Sequence, residues 1–266
     1  MTCFERALEY TQIEQEPKNG KLVDNWPTDP KIKFENVCLS YGLKGKQVLK
    51  NLNFRIESKE KAAIVGRTGA GKSSIIVALF RMYDIEGNIF INSINTKTLP
   101  LEKLRENLTI IPQDPILFTG SMRSNLDPYG KYTDVEIWHA VKEVNLDRHI
   151  SDLHYIVNDC GAHLSVGQRQ LICIARALLD RHKIIILDEA TSNMDEEMEA
   201  LIHSTIDKHF KECTIISISH RIRQVLNYDK LLVMEEGELV ECGKPKELLK
   251  NTQGVFYKMA QKANLV

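Results

Sequence analysis

The run "KAAIVGRTGAGKSSIIVALF", residues 61–80, decides the fold. Its first six residues form a short apolar run of the kind a parallel sheet buries on both faces. From Lys72 onward the texture is helical. Between the two lies Gly66-x-x-x-x-Gly71-Lys72-Ser73, a glycine-rich loop that leaves a strand and opens a helix. In that context successive backbone N–H groups point inward and the helix start adds partial positive charge, so a phosphate chain is held without bulky side chains. The candidate nucleotide-binding residues are therefore Gly66, Arg67, Thr68, Gly69, Ala70, Gly71, Lys72, Ser73 and Ser74. Lys72 can reach the β- and γ-phosphates, and the Ser73 hydroxyl can ligate Mg²⁺.

Other strand ends supply the rest of a candidate site. "KIIILDEA", residues 183–190, places Asp188 at the C-terminal end of an apolar strand, where open α/β sheets put ligand-binding residues. A carboxylate there can hold the Mg²⁺ shell. Glu189 follows, points to the other side, and can orient a water for in-line attack. An isolated "DE" pair is more often a solvated turn; the four apolar residues before it and the upstream loop favour the functional reading. Gln113 ends the strand "LTIIP" and can touch Mg²⁺ or the water. His220 ends "CTIISIS" and can contact the γ-phosphate, although a lone strand-end His is commonly structural. Tyr41 can stack on an adenine ring and is equally readable as a core aromatic.

Upstream, Ile32, Phe34, Val37, Leu39 and Tyr41 follow a strand-like alternation, and residues 52–57 make a second strand. The "GLKGK" turn between them predicts an antiparallel pair. "NIFINS" and "LTIIP" read as strands continuing the parallel pattern, and "KLLVMEEGELVECG" as a hairpin around Glu236 and Gly237. From Gln113 to about Arg181 the texture is helical. Thr133 and Glu136 have capping-box spacing, and "GQRQLICIARALL" is a strongly periodic helix. Residues 1–30 open with a short helix and continue as a Pro-, Gly-, Asn- and Asp-rich linker. The expected fold is α/β, with a core sheet, an antiparallel β subdomain and an inserted α-helical subdomain.

Composition bounds the function. The chain has 266 residues, 43% hydrophobic and 27% charged, which is enough for one large domain with a sizeable core. Net charge is −1 and no long basic run exists, which argues against nucleic acid as a main partner. Six scattered cysteines without a C-x-x-C pair argue against a metal cluster and fit a reducing setting. No signal peptide is visible, and no apolar stretch approaches the roughly 20 residues of a membrane helix.

Five elements stand in one order: "SY", "GRTGAGKS", "IPQDP", "LSVGQRQ" and "IIILDEATSNMD", followed by "SISHR". Over residues 31–250 this resembles the nucleotide-binding domain of ATP-binding cassette (ABC) proteins, a P-loop NTPase with a RecA-like core sheet. "IPQDPILFTGSMRSNLDPY" and "LSVGQRQLICIARALL" are similar to the C-terminal such domain of the C subfamily, the multidrug-resistance-associated type. The resemblance implies domain bounds: 1–30 a linker after a last transmembrane helix, 31–112 and 182–250 the ATP-binding core, 113–181 the helical subdomain, and 251–266 a C-terminal helix. It also implies residue roles. Tyr41 looks like the A-loop aromatic and Gln113 like the Q-loop residue. Asp188 looks like the Walker B aspartate, Glu189 like the catalytic glutamate, Asp195 like the D-loop aspartate and His220 like the switch histidine. Catalysis would rest on Glu189, His220, Gln113 and Lys72, and metal ligation on Ser73, Gln113 and Asp188.

Leu164, Ser165, Val166, Gly167 and Gln168 look like the signature, which in this family closes over the γ-phosphate of a partner domain. Taken alone, the run is a serine helix cap. The stretch just before it looks shorter than usual, and "SNMD" is an unusual D-loop. The implied function is MgATP hydrolysis powering export of organic anions or xenobiotics. The implied partners are a second nucleotide-binding domain, head to tail, and transmembrane domains. The chain itself would be soluble, at the cytoplasmic face of a membrane, tethered through segments it does not contain. The alternative is an ATP-binding regulatory module that hydrolyses little without a partner. A soluble ABC ATPase of DNA repair or translation ranks below both, because neither a long coiled coil nor paired cassettes are present.

Overall fold

The computed structural model describes residues 3–266 except 14, 18, 43, 44, 192 and 193. In chain order it contains α1 (Cys3–Thr11), β1 (Ile32–Ser40), β2 (Gln47–Ile56), β3 (Lys61–Gly66), α2 (Lys72–Leu79), β4 (Ile85–Ile91), β5 (Ile94–Asn95), α3 (Leu101–Arg105) and β6 (Leu108–Ile111). The central part has β7 (Gly120–Ser121), α4 (Met122–Leu126), α5 (Asp134–Glu143), β8 (Ile156–Val157) and α6 (Val166–Asp180). Then follow β9 (Ile184–Asp188), α7 (Glu196–His209), β10 (Thr214–Ile218), α8 (Ile222–Val225), β11 (Lys230–Glu235), β12 (Glu238–Gly243), α9 (Pro245–Leu248) and α10 (Val255–Lys262).

Two sheets carry the site. The six-stranded sheet has the order β12-β11-β3-β10-β9-β6, with every pairing parallel except β11 with β12. β10 is buried at all five positions, as a strand covered on both faces must be. This burial explains why its sequence is a continuous apolar run. The four-stranded sheet has the order β2-β1-β4-β5 and is antiparallel. Its strands alternate buried and exposed, and Phe34 stacks on its register partner Phe54 with ring centroids 4.3 Å apart.

One expectation needs correction. "NIFINS" lies largely in β4, and β4 pairs antiparallel with β1 rather than joining the parallel set. Apolar content alone does not choose a partner strand.

The core is layered. Ile64, Ile75, Leu79, Ile89 and Ile216 belong to one apolar cluster between the two sheets and α2. A second runs without a break from α5 and α6 (Ile137, Leu171, Ile174) into β9 and α7 (Ile185, Ile206). A third seats α10, through Phe256, on Val65 and Val233.

The stretch read as a linker is docked on the core at its end. Trp26 is 3% exposed, and its indole N–H donates to the Ile91 carbonyl at 3.3 Å. Lys21 N donates to Thr98 O at 2.8 Å, and Lys183 Nζ donates to Thr28 O at 3.1 Å. Farther up the chain, Glu16 makes a two-pronged ion pair with Arg105, both contacts at 2.7 Å.

Candidate nucleotide site

The loop between β3 and α2 is shaped by its glycines. Gly69 and Gly71 have φ of +81° and +95°, in the left-handed region that only glycine enters freely. A Cβ at Gly66 would sit 2.4 Å from the Met234 carbonyl of β11. Gly71 occupies the N-cap of α2 and offers no side-chain acceptor to the helix's first N–H groups. Those groups are left available for an anion, at the positive end of the helix.

Lys72 folds back over the loop. Its ammonium donates to the carbonyls of Gly66 and Arg67, each at 3.1 Å, and the residue is 5% exposed. Burial pushes its pKa down, while Glu189 and Asp188 pull it up. The same group of charges acts on Asp188: burial and Glu189 raise its carboxyl pKa, and Lys72 and His220 lower it. Glu189 is held in the left-handed region (φ 48°) at the exit of β9, where its N–H donates to Ile218 O at 3.1 Å. Its carboxylate meets the His220 Nε2 directly. Lys72, Asp188, Glu189 and His220 are thus one electrostatic unit built from three adjacent strands. Two carboxylates face one ammonium and a histidine.

That imbalance fits a divalent cation. The exposed Ser73 hydroxyl, the exposed Gln113 amide and the half-buried Asp188 carboxylate are all oxygen donors, the set Mg²⁺ prefers.

Tyr41 is 40% exposed at the end of β1. Its hydroxyl is 2.9 Å from Ser74 Oγ in α2, and its ring meets Tyr83 edge-on with centroids 5.0 Å apart. It is therefore a surface aromatic at the rim of the loop, not a core residue.

The second glycine-bearing run has a different geometry. Ser165 caps α6, accepting from Gln168 N at 3.1 Å, while Gln168 Oε1 accepts from Ser165 N at 2.9 Å. This reciprocal capping box repeats the one at Thr133 and Glu136, where the spacing was legible. Leu164 and Gly167 are buried, and Val166 is half-buried. A Cβ at Gly167 would meet the Met198 side chain of α7 at 2.6 Å, so glycine allows the two helices to approach. Among the described residues, no hydrogen bond or ion pair joins Leu164–Gln168 to the Lys72 cluster. Asp195 caps α7, accepting from Met198 N at 2.8 Å.

Sequence reasoning passed over two residues. Gln170 is fully buried in α6 and donates to the Pro112 carbonyl at 3.0 Å, tying α6 to the segment that carries Gln113. Glu199 of α7 pairs with Arg221 and Gln224, beside His220.

Comparison with known proteins settles the family. A family model described as ABC transporter matches residues 49–192, more than half of the chain. The chain belongs to the ABC transporter family. Members of that family are ATPases that bind ATP. It is 45% identical to mouse ATP-binding cassette sub-family C member 4 over 268 residues, covering 98% of this chain and 20% of the relative. It is 44% identical to the human sub-family C member 2 over 273 residues, covering all of this chain and 18% of that one. The ATP-dependent bile acid permease of Saccharomyces cerevisiae is 43% identical, with 98% and 18% covered. The chain thus spans about a fifth of the length of these relatives and corresponds to a nucleotide-binding domain region. A solved bacterial Atm1-family ABC exporter with ATP bound superposes with a TM-score of 0.86 at 30% identity, over 98% of this chain and 47% of that one. No described helix is long and apolar enough to cross a membrane.

Proposed function

We propose that this chain binds MgATP, hydrolyses it, and supplies the nucleotide-binding domain of a C-subfamily exporter of organic anions or xenobiotics. Its partners would be a second such domain and transmembrane domains, which would hold it at the cytoplasmic face of a membrane. Residues 31–112 and 182–250 would form the ATP-binding core, 113–181 the helical subdomain and 251–266 the C-terminal helix.

The observation that carries the reading is the buried Lys72 ammonium, poised on the loop carbonyls beside Asp188, Glu189 and His220. The loop N–H groups and Lys72 hold the phosphates, Ser74 lies beneath, and Tyr41 takes the base on its ring. Ser73, Gln113 and Asp188 would hold Mg²⁺, which when bound neutralises charge on the phosphate oxygens. Glu189 accepts a hydrogen bond from the attacking water and takes its proton; His220 keeps Glu189 oriented and faces the γ-phosphate. Leu164, Ser165, Val166, Gly167 and Gln168 would meet the γ-phosphate of a partner domain, with Asp195 at the same junction. On this reading each chain would contribute two half-sites, the electrostatic unit and the capped signature.

Glu189→Gln keeps the shape and removes the base. It should leave ATP binding intact and lower turnover at least ~10²-fold. Unchanged turnover removes Glu189 from this role. The regulatory alternative predicts ATP binding with turnover that stays negligible at every protein concentration, whereas a working dimer gives activity rising faster than linearly with concentration.

A further inference from the structure

One carboxylate that no motif contains ties α7 to the segment that follows β10. Glu199 stands one turn into α7, after the Asp195 cap. One of its oxygens accepts from the Arg221 guanidinium and the other from the Gln224 side-chain amide. Arg221 directly follows His220. Gln224 reaches both catalytic strand exits. Its Nε2 donates to Thr191 Oγ1 at 3.3 Å, two residues after Glu189, and its Oε1 accepts from Ser219 Oγ at 3.1 Å, one residue before His220. Ser219 Oγ also accepts from Arg221 N at 3.0 Å, closing the loop on itself.

We propose that Glu199 is a positioning residue for the Glu189–His220 pair. The inference rests on the reading of those two residues as the hydrolytic pair and names what holds them. A solvated ion pair at a surface would contribute little. The Glu199 side chain is 16% exposed and receives two donors, one of them charged, in a half-dry setting where such bonds are strong. A small cleft of about 30 Å³ is lined in part by Glu189, Thr191, His220 and Gln224. Glu189 itself sits at a left-handed φ, a conformation its surroundings must maintain.

The same turn of α7 also borders the signature helix. Met198, the neighbour of Glu199, is the residue against which Gly167 of the signature helix packs. The first turn of α7 therefore borders the signature helix through Met198 and, through Glu199, holds the Arg221 and Gln224 side chains that flank the hydrolytic pair.

The test compares Glu199→Ala, Glu199→Gln and Glu189→Gln in the full 266-residue chain. Steady-state ATPase kinetics, ATP affinity and thermal midpoint are measured for each. Misplacing the pair should lower kcat ~10- to ~100-fold, with KM and Kd for ATP within about twofold, because the loop and Lys72 are untouched. Glu199→Gln keeps the volume and one acceptor oxygen, so it protects against a folding artefact and should fall between Ala and the unaltered chain. In the Glu189→Gln background, removing Glu199 should cost no further turnover, since what it positions is gone. A kcat within twofold of the unaltered chain overturns the inference. So does a parallel fall of kcat, ATP affinity and midpoint, which marks a merely structural residue. If Glu189→Gln turns over as the unaltered chain does, the hydrolytic reading itself falls first.

Discussion

Lys72→Met separates binding from folding in a way the geometry makes quantitative. The ammonium is buried and donates to two loop carbonyls at 3.1 Å. Its burial opposes the charged form, and Glu189 and Asp188 favour it. In the unbound fold, removing it loses two hydrogen bonds and also relieves the desolvation that burial imposes on the charge. Methionine fills the stem's volume, so stability should move by no more than about 1 kcal/mol, or ~2–4 °C in midpoint for a chain of this size. Binding behaves otherwise. Truncating one partner of a buried, hydrogen-bonded charge pair costs ~2–5 kcal/mol, which is a ~30-fold or greater rise in Kd for MgATP. Titration of the chain with MgATP by calorimetry, beside a thermal melt, reads both quantities. A Kd within threefold of the unaltered chain shows that Lys72 does not reach phosphate. A large fall in midpoint together with affinity shows that it supports the loop instead.

Three further outcomes follow from local geometry. Trp26→Ala removes a 3%-exposed indole and its bond to Ile91 O, so urea unfolding should show a loss of ~3–5 kcal/mol; a loss below ~1 kcal/mol would return residues 20–30 to the status of a loose tether. Ser165→Arg loses the α6 cap, worth ~1 kcal/mol, yet should spare ATP binding by the monomer and block ATP-driven dimerisation in light scattering. Dimers of normal yield would refute a role for Ser165 in trans. Burial holds the His203 imidazole below its ordinary 6.5, against the pull of Glu199 and Asp207. The unfolded chain takes up that proton first, so stability should fall as pH drops through 6.5. His182 and His209 are lowered by burial as well and act in the same direction. His203→Gln should flatten the midpoint-against-pH curve between pH 7.5 and 5.5 by about one site's share; an unchanged slope would mean that His203 titrates normally.

What the amino-acid order revealed depended on how local the physics was. The glycine loop was legible because Gly69 and Gly71 need left-handed backbone and the strand-to-helix switch happens within a dozen residues. The capping box at Thr133 and Glu136 was legible for the same reason. The partner of β4 was not, since an apolar run reports burial and not direction of pairing. Trp26 also escaped: one aromatic between turn-forming residues has no periodicity, and its acceptor lies 65 residues away. Glu199 is the hardest case. Its partners are 22 and 25 residues distant across a strand, and a glutamate in an acidic first helical turn already has a sufficient local explanation in the helix dipole.

The two glycine-bearing runs end up as opposite solutions to one problem. At Gly71 the helix start lacks a side-chain cap, so its N–H groups are left for an anion and the neighbouring Lys72 supplies charge. At Ser165 the helix start is capped by its own serine and glutamine, so any anion brought to it would have to compete with, or share, an existing hydrogen bond. A second site weakened in this way would suit a design in which binding requires both halves at once. On the proposed function, a lone chain would hold nucleotide at the first run without engaging the second, and closure would wait for a partner. The turn of α7 behind Gly167 would then be the link between the two runs inside the chain, because Met198 lies against Gly167 while its neighbour Glu199 pairs with Arg221 and Gln224 beside His220.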